Sequence, residues 1–367
     1  MDNFAFVIHP LNPKQDVARK YPLLARVLPT ALIHFFSRFW PPVYLSHITG
    51  VRSEATGEEI EGWLLACPFT ARQIVRLPPQ TVYKKIVRTG HLAQRLGARI
   101  LGLGAFTSVV GDGGMTIARR LNIPVTTGHS LTVAVVIETL MEAARCRDIR
   151  PELATMAVVG ATGSIGSACA ELLAPMVAEL VLIGRRESRL AQVRTQAEAA
   201  GARSVRTSTQ VEDIREAHLV LSATSAARPI IQPQHLKHGA IVCDVALPPD
   251  VSRRVAQERE DILLIEGGEV NVPGEVDFGF DFGLPPGKAY ACMAEAMVLA
   301  LEGQYESYSL GRQIRAEQVR EIARLARKHG FRLPDKSAVS SQRLAVSSRR
   351  QLSTRLPADR RKKYVPC

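Results

Sequence analysis

The stretch from Thr155 to Leu173, TMAVVGATGSIGSACAELL, constrains the fold more than any other part of the sequence. It reads as a short apolar strand, a turn that contains Gly160, Gly163 and Gly166, and a helix. In such a unit the glycines permit a tight turn, close approach of backbone to a pyrophosphate, and close packing of helix on strand. Free N–H groups at the helix N-terminus attract phosphate. The stretch therefore predicts a dinucleotide-binding domain.

Residues 154 to about 270 repeat strand, glycine turn and helix, which is typical of a parallel sheet. We expect an α/β protein with a Rossmann-type doubly wound parallel sheet domain, an α/β N-terminal domain and C-terminal helices. The predicted division is 1–150 for a substrate domain, 151–270 for the nucleotide domain, 271–330 for a loop and helices that carry a cysteine, and 331–367 for a basic disordered tail.

The second strand of the predicted nucleotide domain, ELVLIG, ends in Arg185 and Arg186. An acidic residue at this point would hold the ribose hydroxyl of NAD, whereas arginines suit the 2′-phosphate of NADP. We therefore predict NADPH as the cofactor, with two solvated arginines at a helix start as the alternative. The predicted cofactor contacts are Gly160, Ala161, Thr162, Gly163, Ser164, Ile165, Gly166, Arg185, Arg186, Ala223, Thr224, Asp244 and Val245.

The charge of the chain is concentrated at its end. The net charge is +12, and the residues from 331 onward contain ten Lys or Arg against two Asp. We interpret this tail as a solubilising segment, with contact to nucleic acid, anionic lipid or an acidic protein as the less favoured alternatives, and expect no nucleic-acid partner. The start of the chain lacks the pattern of a signal peptide, so a cytoplasmic protein is expected. The histidines and cysteines show no metal-ligand spacing.

Cys292, in KAYACMAEAM, is the candidate nucleophile. It follows a proline-glycine break, which places it in the first turns of a helix, where the helix dipole and Lys288 would lower the thiol pKa. A lone helical cysteine is more often structural, and Cys67 is the one serious rival. His129, in VTTGHSLT, is the candidate acid or base, with a satisfied surface histidine as the equal alternative. Neighbouring hydroxyls are candidates for substrate or oxyanion binding, or else loop caps.

A segment near the start, YPLLARVLPTALIHFFSRFWPPVYL, concentrates aromatic residues among leucines and arginines. It is typical of a helix that covers the core, and it also fits a helix on a membrane surface or the wall of a lipid channel.

Five motifs occur in the order found in one family: LGAFTSVV at 103–110, VTTGHSLT at 125–132, AVVGATGSIGSA at 157–168, YACMAEAMVLALEG at 290–303 and GRQI at 311–314. Over about residues 1–332 the chain resembles the cyanobacterial long-chain acyl-[acyl carrier protein] reductases, which form fatty aldehydes. The resemblance implies that Cys292 accepts the acyl group from a carrier-protein or coenzyme A thioester, that NADPH reduces it, and that the aromatic segment forms an acyl tunnel. Peripheral contact of the protein with a membrane stays an open alternative.

The residues predicted to bind the substrate are Phe106, Thr107, Ser108, Thr127 and Gly128. The chain departs from the family after TTG, because His129 and Leu131 stand where cyanobacterial members tend to have Asn and then His. His129 would have to replace that histidine from a shifted position. A sister branch that acts on another acyl thioester is therefore also consistent with these residues.

Two further hypotheses stay open. One is a dehydrogenase for hydroxyacids or amino acids that resembles shikimate dehydrogenase, in which Cys292 only packs. Lys84 or Lys85 with Asp112 would then supply the acid and base. The other is a nucleotide-sensing scaffold without catalysis, whose basic tail binds an acidic partner or a membrane.

Overall fold

The computed structural model describes residues 2–10, 28–226 and 228–333, together with residues 14, 17, 23 and 26. From residue 334 onward, the predicted tail lies outside the described residues. The predicted start of the tail, residue 331, needs correction by three residues. Phe331 is buried, and Arg332 forms an antiparallel bridge with Asn271, so 331–333 belong to the folded part.

The first sheet has β1 at its centre. β1 lies parallel to β3 on one side and to β4 on the other, while β2 is antiparallel to β3 at the edge. The strand order is β2-β3-β1-β4-β5. The strands are β1 (Asn3–Ile8), β2 (Val43–Arg52), β3 (Glu59–Ala66), β4 (Leu101–Leu103) and β5 (Val125–Thr126). β1 is buried over Phe4–Val7, because both faces of this sheet are covered.

Six helices accompany the first sheet among the described residues. They are α1 (Thr30–Phe36), α2 (Ala71–Arg76), α3 (Pro79–Arg95), α4 (Phe106–Val109), α5 (Met115–Ala118) and α6 (His129–Cys146). α3 has Pro79 in its first turn and Val82 and Ile86 in the core. α6 belongs to two cores, since Val136 packs with the nucleotide half and Val135 with the first half.

The second sheet is parallel throughout and has the strand order β11-β10-β9-β6-β7-β8. Its elements are β6 (Thr155–Val159), α7 (Ser164–Leu173), β7 (Glu179–Ile183), α8 (Glu187–Ala199), β8 (Val205–Ser208), β9 (Leu219–Ser222), β10 (Ile241–Asp244), α9 (Arg253–Glu258) and β11 (Leu263–Glu266). The order reverses between β6 and β9, which is the doubly wound arrangement in which ligands bind at the switch point. The predicted fold class is confirmed.

The last elements carry the cysteine into this arrangement. They are β12 (Glu269–Asn271), β13 (Lys288–Tyr290), α10 (Ala291–Leu301) and α11 (Ala316–His329). The sequence of Lys288–Tyr290 suggests the start of the helix. The segment is a strand instead, because β12 and β13 pair antiparallel. α10 is apolar on every side and buried against β1, β4, α6 and α11.

None of the helices within the described ranges is long and apolar enough to cross a bilayer.

Candidate active site

A cavity of about 1280 Å³ opens between the two halves at the carboxyl ends of β6, β9 and β10. Its wall contains Cys292, His129 and the glycine loop after β6. One side of the wall is apolar and draws on both ends of the chain: Phe6, Ile8, Val17, Ile33, Trp40, Leu45, Phe280 and Phe282. A nucleotide loop, a thiol and an apolar surface therefore share one space.

Cys292 is the second residue of α10 and is partly exposed in the cavity. Gly128, at φ 72°, lies directly against it. A Cβ at Gly128 would stand 2.2 Å from the Cα of Cys292 and 2.5 Å from its carbonyl oxygen. Only glycine tolerates both that φ and that contact. The TTG turn thus fixes the position of the thiol.

Burial raises the pKa of the Cys292 thiol to about 12, and the negative charge of Glu295 adds to the rise. The expected lowering of this pKa is therefore wrong for the structure as it stands. Backbone N–H groups of the first helical turn do act in the predicted direction, but burial outweighs them. Lys288 lies 3.7 Å from the carboxylate of Glu269, so its charge already has a partner.

Glu295 is a fully buried carboxylate that sequence reasoning missed. It lies one turn after Cys292, accepts a hydrogen bond from the hydroxyl of Thr126, and accepts another from the N–H of Leu131 at 2.8 Å. Burial raises its pKa. The carboxylate ties α10 to the TTGHSL turn on both sides of Gly128. The available signal was one charged residue within ACMAEAMVLAL, which is otherwise apolar.

His129 connects the two halves. Its Nε2 lies 3.2 Å from the hydroxyl of Ser108, and its Nδ1 lies 3.2 Å from the hydroxyl of Ser164 in the glycine loop. Ser108 donates its own proton to the carbonyl of Ala105, so Nε2–H donates to Ser108 and Nδ1 accepts from Ser164. Burial lowers the pKa of His129 to about 4, so the ring is neutral at pH 7. The histidine is buried, which excludes the surface alternative.

The LGAFTS loop is held under strain. Ala105 has φ 47° and ψ −130°, a conformation that costs a residue with a Cβ about 1–3 kcal/mol. His9 supports it, because Nε2 of His9 accepts the N–H of Phe106 at 3.1 Å. Burial lowers the pKa of His9 to about 4. His9 was also missed, since a histidine after a strand carries no local signal.

The predicted substrate residues divide into two groups. Phe106, Ser108 and Thr127 line the cavity, although the Thr127 hydroxyl donates to the carbonyl of Ser309. Thr107 is fully buried and donates to the carbonyl of Gly104, so its hydroxyl caps the loop. Gly128 lies beneath Cys292 and supports the thiol from behind.

The glycine loop fits a dinucleotide. Gly160 has φ 85°, and a Cβ there would meet the carbonyl oxygen of Ala223 at 2.6 Å. A Cβ at Gly166 would meet the carbonyl oxygen of Gly160 at 2.3 Å. These two glycines close the turn. Gly163, just before α7, lines the cavity, and a Cβ there would lie 3.3 Å from the carbonyl oxygen of Gly160. The residue types and the space match what a pyrophosphate requires.

Most of the predicted cofactor contacts lie on the cavity wall. Those that line it are Gly160, Thr162, Gly163, Ser164, Ile165, Arg185, Arg186, Ala223, Thr224, Asp244 and Val245. Ala161 and Gly166 lie behind the wall, in the packing between β6 and α7. Asp250 was not predicted. It is fully buried and accepts from the Ser222 hydroxyl at 2.7 Å and from the N–H of Thr224 at 2.9 Å, which holds this part of the wall.

Asp244 is the other titratable group at this end of the sheet. Its carboxylate accepts the N–H groups of Ala246 and Val251 at 3.0 and 2.9 Å. Burial raises its pKa to about 7, and the neighbouring charge of Asp250 contributes.

The remaining candidates lie elsewhere. Cys67 is buried, and burial raises the pKa of its thiol to about 11. Lys85 donates to the carbonyls of Arg38 and Trp40, and Asp112 accepts from Thr116. Neither Lys85 nor Asp112 lines the cavity, so the structure does not bring this proposed acid–base pair together at the candidate site. In the part of the chain that the structure describes, no group of three His, Cys, Asp or Glu side chains is arranged to hold a metal ion.

Comparison with known proteins supports the nucleotide half most directly. Residues 143–266 match the family described as shikimate / quinate 5-dehydrogenase. The chain is 34% identical over 286 residues to the aminotransferase PigE of a Serratia species, a match that covers 76% of this chain and spans 33% of that protein's length. It is 28% identical over 310 residues to the long-chain acyl-[acyl-carrier-protein] reductase of Synechococcus elongatus, covering 80% of this chain and 89% of that one.

Among solved structures, a dipicolinate synthase from Bacillus halodurans shares 15% identity at a TM-score of 0.33, over 52% of this chain and 62% of that chain. Together with the sheet order and the glycine loop, the family match over 143–266 shows that the chain carries a Rossmann-type domain of the kind found in NAD(P)-dependent oxidoreductases.

Proposed function

We propose that the chain is an NADPH-dependent reductase that converts a long-chain acyl thioester to a fatty aldehyde through an acyl group on Cys292. The observation that carries this proposal is the single cavity in which Cys292, the glycine loop and an extended apolar wall meet. The motifs shared with the acyl-[acyl carrier protein] reductases support it, as does the match to a protein that bears that name.

Acylation exchanges one thiol for another. The sulfur of Cys292 attacks the thioester carbonyl, the carrier's sulfur leaves, and the proton of the Cys292 thiol ends on that leaving sulfur. Because the thiol pKa is about 12, the proton must be taken up as the attack proceeds. His129 follows Gly128, which touches Cys292, and its ring is neutral. We assign the transfer of this proton to His129.

Reduction requires a hydride and a proton. NADPH held by the glycine loop, Arg185 and Arg186 would supply the hydride for the acyl carbon. The negative charge that develops on the acyl oxygen is then met by a proton delivered through His129 and Ser108, which are joined at 3.2 Å. Cys292 leaves as the carbonyl re-forms, so the aldehyde is released and the thiol is restored. The apolar wall excludes water, which limits hydrolysis of the acyl group.

The choice of NADPH rests on Arg185 and Arg186, which stand on the cavity wall after β7. Replacing both with Ser removes the charges that would pair with a 2′-phosphate. We expect KM for NADPH to rise at least about 10-fold while KM for NADH changes little. Arg189→Ser, an exposed position in α8, is the control and should leave both constants unchanged. Equal effects on the two cofactors would contradict the assignment.

Intact-protein mass spectrometry tests the reaction itself. The protein is mixed with palmitoyl-acyl carrier protein or palmitoyl-coenzyme A in the absence of NADPH. We expect one palmitoyl adduct on the wild type, none on Cys292→Ala, and release of the adduct as aldehyde once NADPH is added.

Cys146→Ala is the matched control, because Cys146 is exposed and lies outside the cavity wall. It should be acylated like the wild type. An adduct that survives in Cys292→Ala, or no adduct with either thioester, would overturn the proposal.

The family match over 143–266 favours a second candidate, a dehydrogenase for hydroxyacids of the shikimate type. It predicts that Cys292→Ala keeps its activity with such a substrate. Retained NADP-linked oxidation of shikimate or a related hydroxyacid in that variant would decide for this candidate.

A further inference from the structure

The helix α1 shows an apolar stripe on its solvent side. Leu32, Phe35 and Phe36 of α1 and Phe39 in the turn that follows it keep the spacing i, i+3, i+4, i+7. Their exposed fractions are 42, 53, 43 and 70%. That spacing marks the core-facing stripe of an ordinary surface helix. Here the opposite side is the one that packs inward, since Ile33 is 1% exposed. We call the four residues the α1 stripe.

The side opposite the α1 stripe belongs to the cavity. Ile33, Ser37 and Trp40 line it. The ring of Phe35 contacts the other two phenylalanine rings of the stripe, with centroid distances of 5.4 Å to Phe36 and 5.6 Å to Phe39. One short helix thus separates an apolar cavity from an apolar patch in water.

The neighbouring helices hold α1 in place. Gln73 of α2 donates to the carbonyl of His34 at 2.6 Å, and Lys85 of α3 donates to the carbonyl of Trp40 at 2.7 Å. Val75 of α2 is also an exposed apolar residue, at 61%. The stripe is therefore part of a fixed surface.

The segments of the chain that form α1, α2 and α3 contain no acidic residue. No Asp or Glu occurs between Val17 and Arg52, or between Gly62 and Gly111, and these ranges contain twelve Lys or Arg. Arg38, Arg72 and Arg76 are exposed, and within the described ranges none of them forms an ion pair. An apolar stripe with exposed arginines in the turn after α1 and on the next helix matches the interface of an anionic bilayer, in which aromatic rings enter the acyl boundary and cations meet the headgroups.

We propose that the α1 stripe and these arginines form a face that docks on an anionic lipid surface. Docking places the cavity wall formed by Ile33 and Trp40 next to the membrane. The proposal concerns binding alone and does not depend on the reaction proposed above.

Quenching of Trp40 fluorescence separates insertion of α1 from adsorption through the basic residues after 333. The chain has two tryptophans, so Trp63→Phe leaves Trp40 as the only reporter in the full-length protein. The probes are vesicles of phosphatidylcholine alone or mixed with phosphatidylglycerol, with bromine on the acyl chains. We expect co-sedimentation with the anionic vesicles and strong quenching of Trp40.

The decisive variant replaces Phe35, Phe36 and Phe39 with Ser in that background. It should lose the quenching and bind at least about 10-fold more weakly, because three partly buried rings no longer enter the bilayer. Leu153→Ser with Met176→Ser is the control, since these residues are 59 and 38% exposed far from α1. Its melting temperature and vesicle binding should match the parent.

Replacement of Arg38 and Arg72 with Glu should weaken binding to the anionic vesicles only. The proposal is overturned if Trp40 is not quenched, if the triple-Ser variant binds as its parent does, or if the α1 stripe binds an acidic carrier protein while ignoring both vesicles.

Discussion

Gly128 is the residue on which the position of the thiol depends. Gly128→Ala combines a positive φ with a Cβ only 2.2 Å from the Cα of Cys292. We expect a loss of about 2–4 kcal/mol in the free energy of unfolding, from the backbone strain and the overpacking together. Cys292 should also be displaced, so acylation by palmitoyl-coenzyme A should fall at least about 100-fold.

The matched control is Gly97→Ala. Gly97 has φ 88°, but nothing lies within 4 Å of its virtual Cβ, so this variant carries the strain without the contact. Urea unfolding should show a loss of about 1 kcal/mol for it, with acylation unchanged. Equal losses for the two variants would show that the contact with Cys292 contributes nothing.

Glu295 adds to the rise in the pKa of that thiol, which burial dominates. Its charge raises the pKa of Cys292, so Glu295→Gln should lower that pKa. The pH profile of alkylation by iodoacetamide should move to lower pH, and at pH 9 the reaction should be about 3-fold faster or more. Glu302→Gln is the control, because Glu302 lies after the end of the same helix and pairs with Lys328 and His329. An unmoved profile in Glu295→Gln would rule out the charge effect.

At the scale of elements, the sequence predicts those strands and helices whose pattern lies within one continuous stretch of chain. The short apolar strand predicted before the glycine turn is β6, Thr155–Val159, because an apolar run before a glycine turn is complete within one stretch of chain. β13 was missed, since Lys288–Tyr290 has no strand pattern of its own and becomes a strand by pairing with Glu269–Asn271. His9 and Glu295 were missed for the same reason, as their partners come from distant segments.

The packing of α10 on the first sheet depends on Gly102 in β4. A Cβ there would lie 2.4 Å from a ring carbon of Phe6 and 3.2 Å from the Cβ of Ala296. Gly102→Ala should cost about 1–3 kcal/mol in the free energy of unfolding. Adding Phe6→Leu to Gly102→Ala should recover part of that loss by making room, although Phe6→Leu alone destabilises. Urea titration of the three variants checks this, and strictly additive losses would contradict the proposed clash.

At the scale of the whole molecule, His129 joins the LGAFTS segment that follows β4 to the glycine loop that follows β6. Its neutral ring accepts from Ser164 and donates to Ser108, and protonation would convert the acceptor Nδ1 into a donor. The junction between the two halves is therefore sensitive to acid. The pKa of His129 in the folded protein is about 4, against 6.5 as the ordinary value of a histidine. The unfolded chain thus binds the proton first as pH falls.

This difference fixes the sign of the pH dependence. The contribution of His129 to stability is fully present above pH 6.5 and is lost as pH falls toward 4, by up to about 3 kcal/mol. His9 acts in the same direction, and Asp244, whose pKa is raised to about 7, acts in the opposite one.

The comparison between variants isolates His129 from both. His129→Gln should be less stable than the wild type at pH 7, and that gap should shrink by about 2–3 kcal/mol at pH 4.5. Chemical denaturation at the two pH values measures the gap, with His91→Gln as the control, because His91 is exposed and bonds only to Gln94. A gap of equal size at both pH values would mean that His129 does not stay neutral between the two halves.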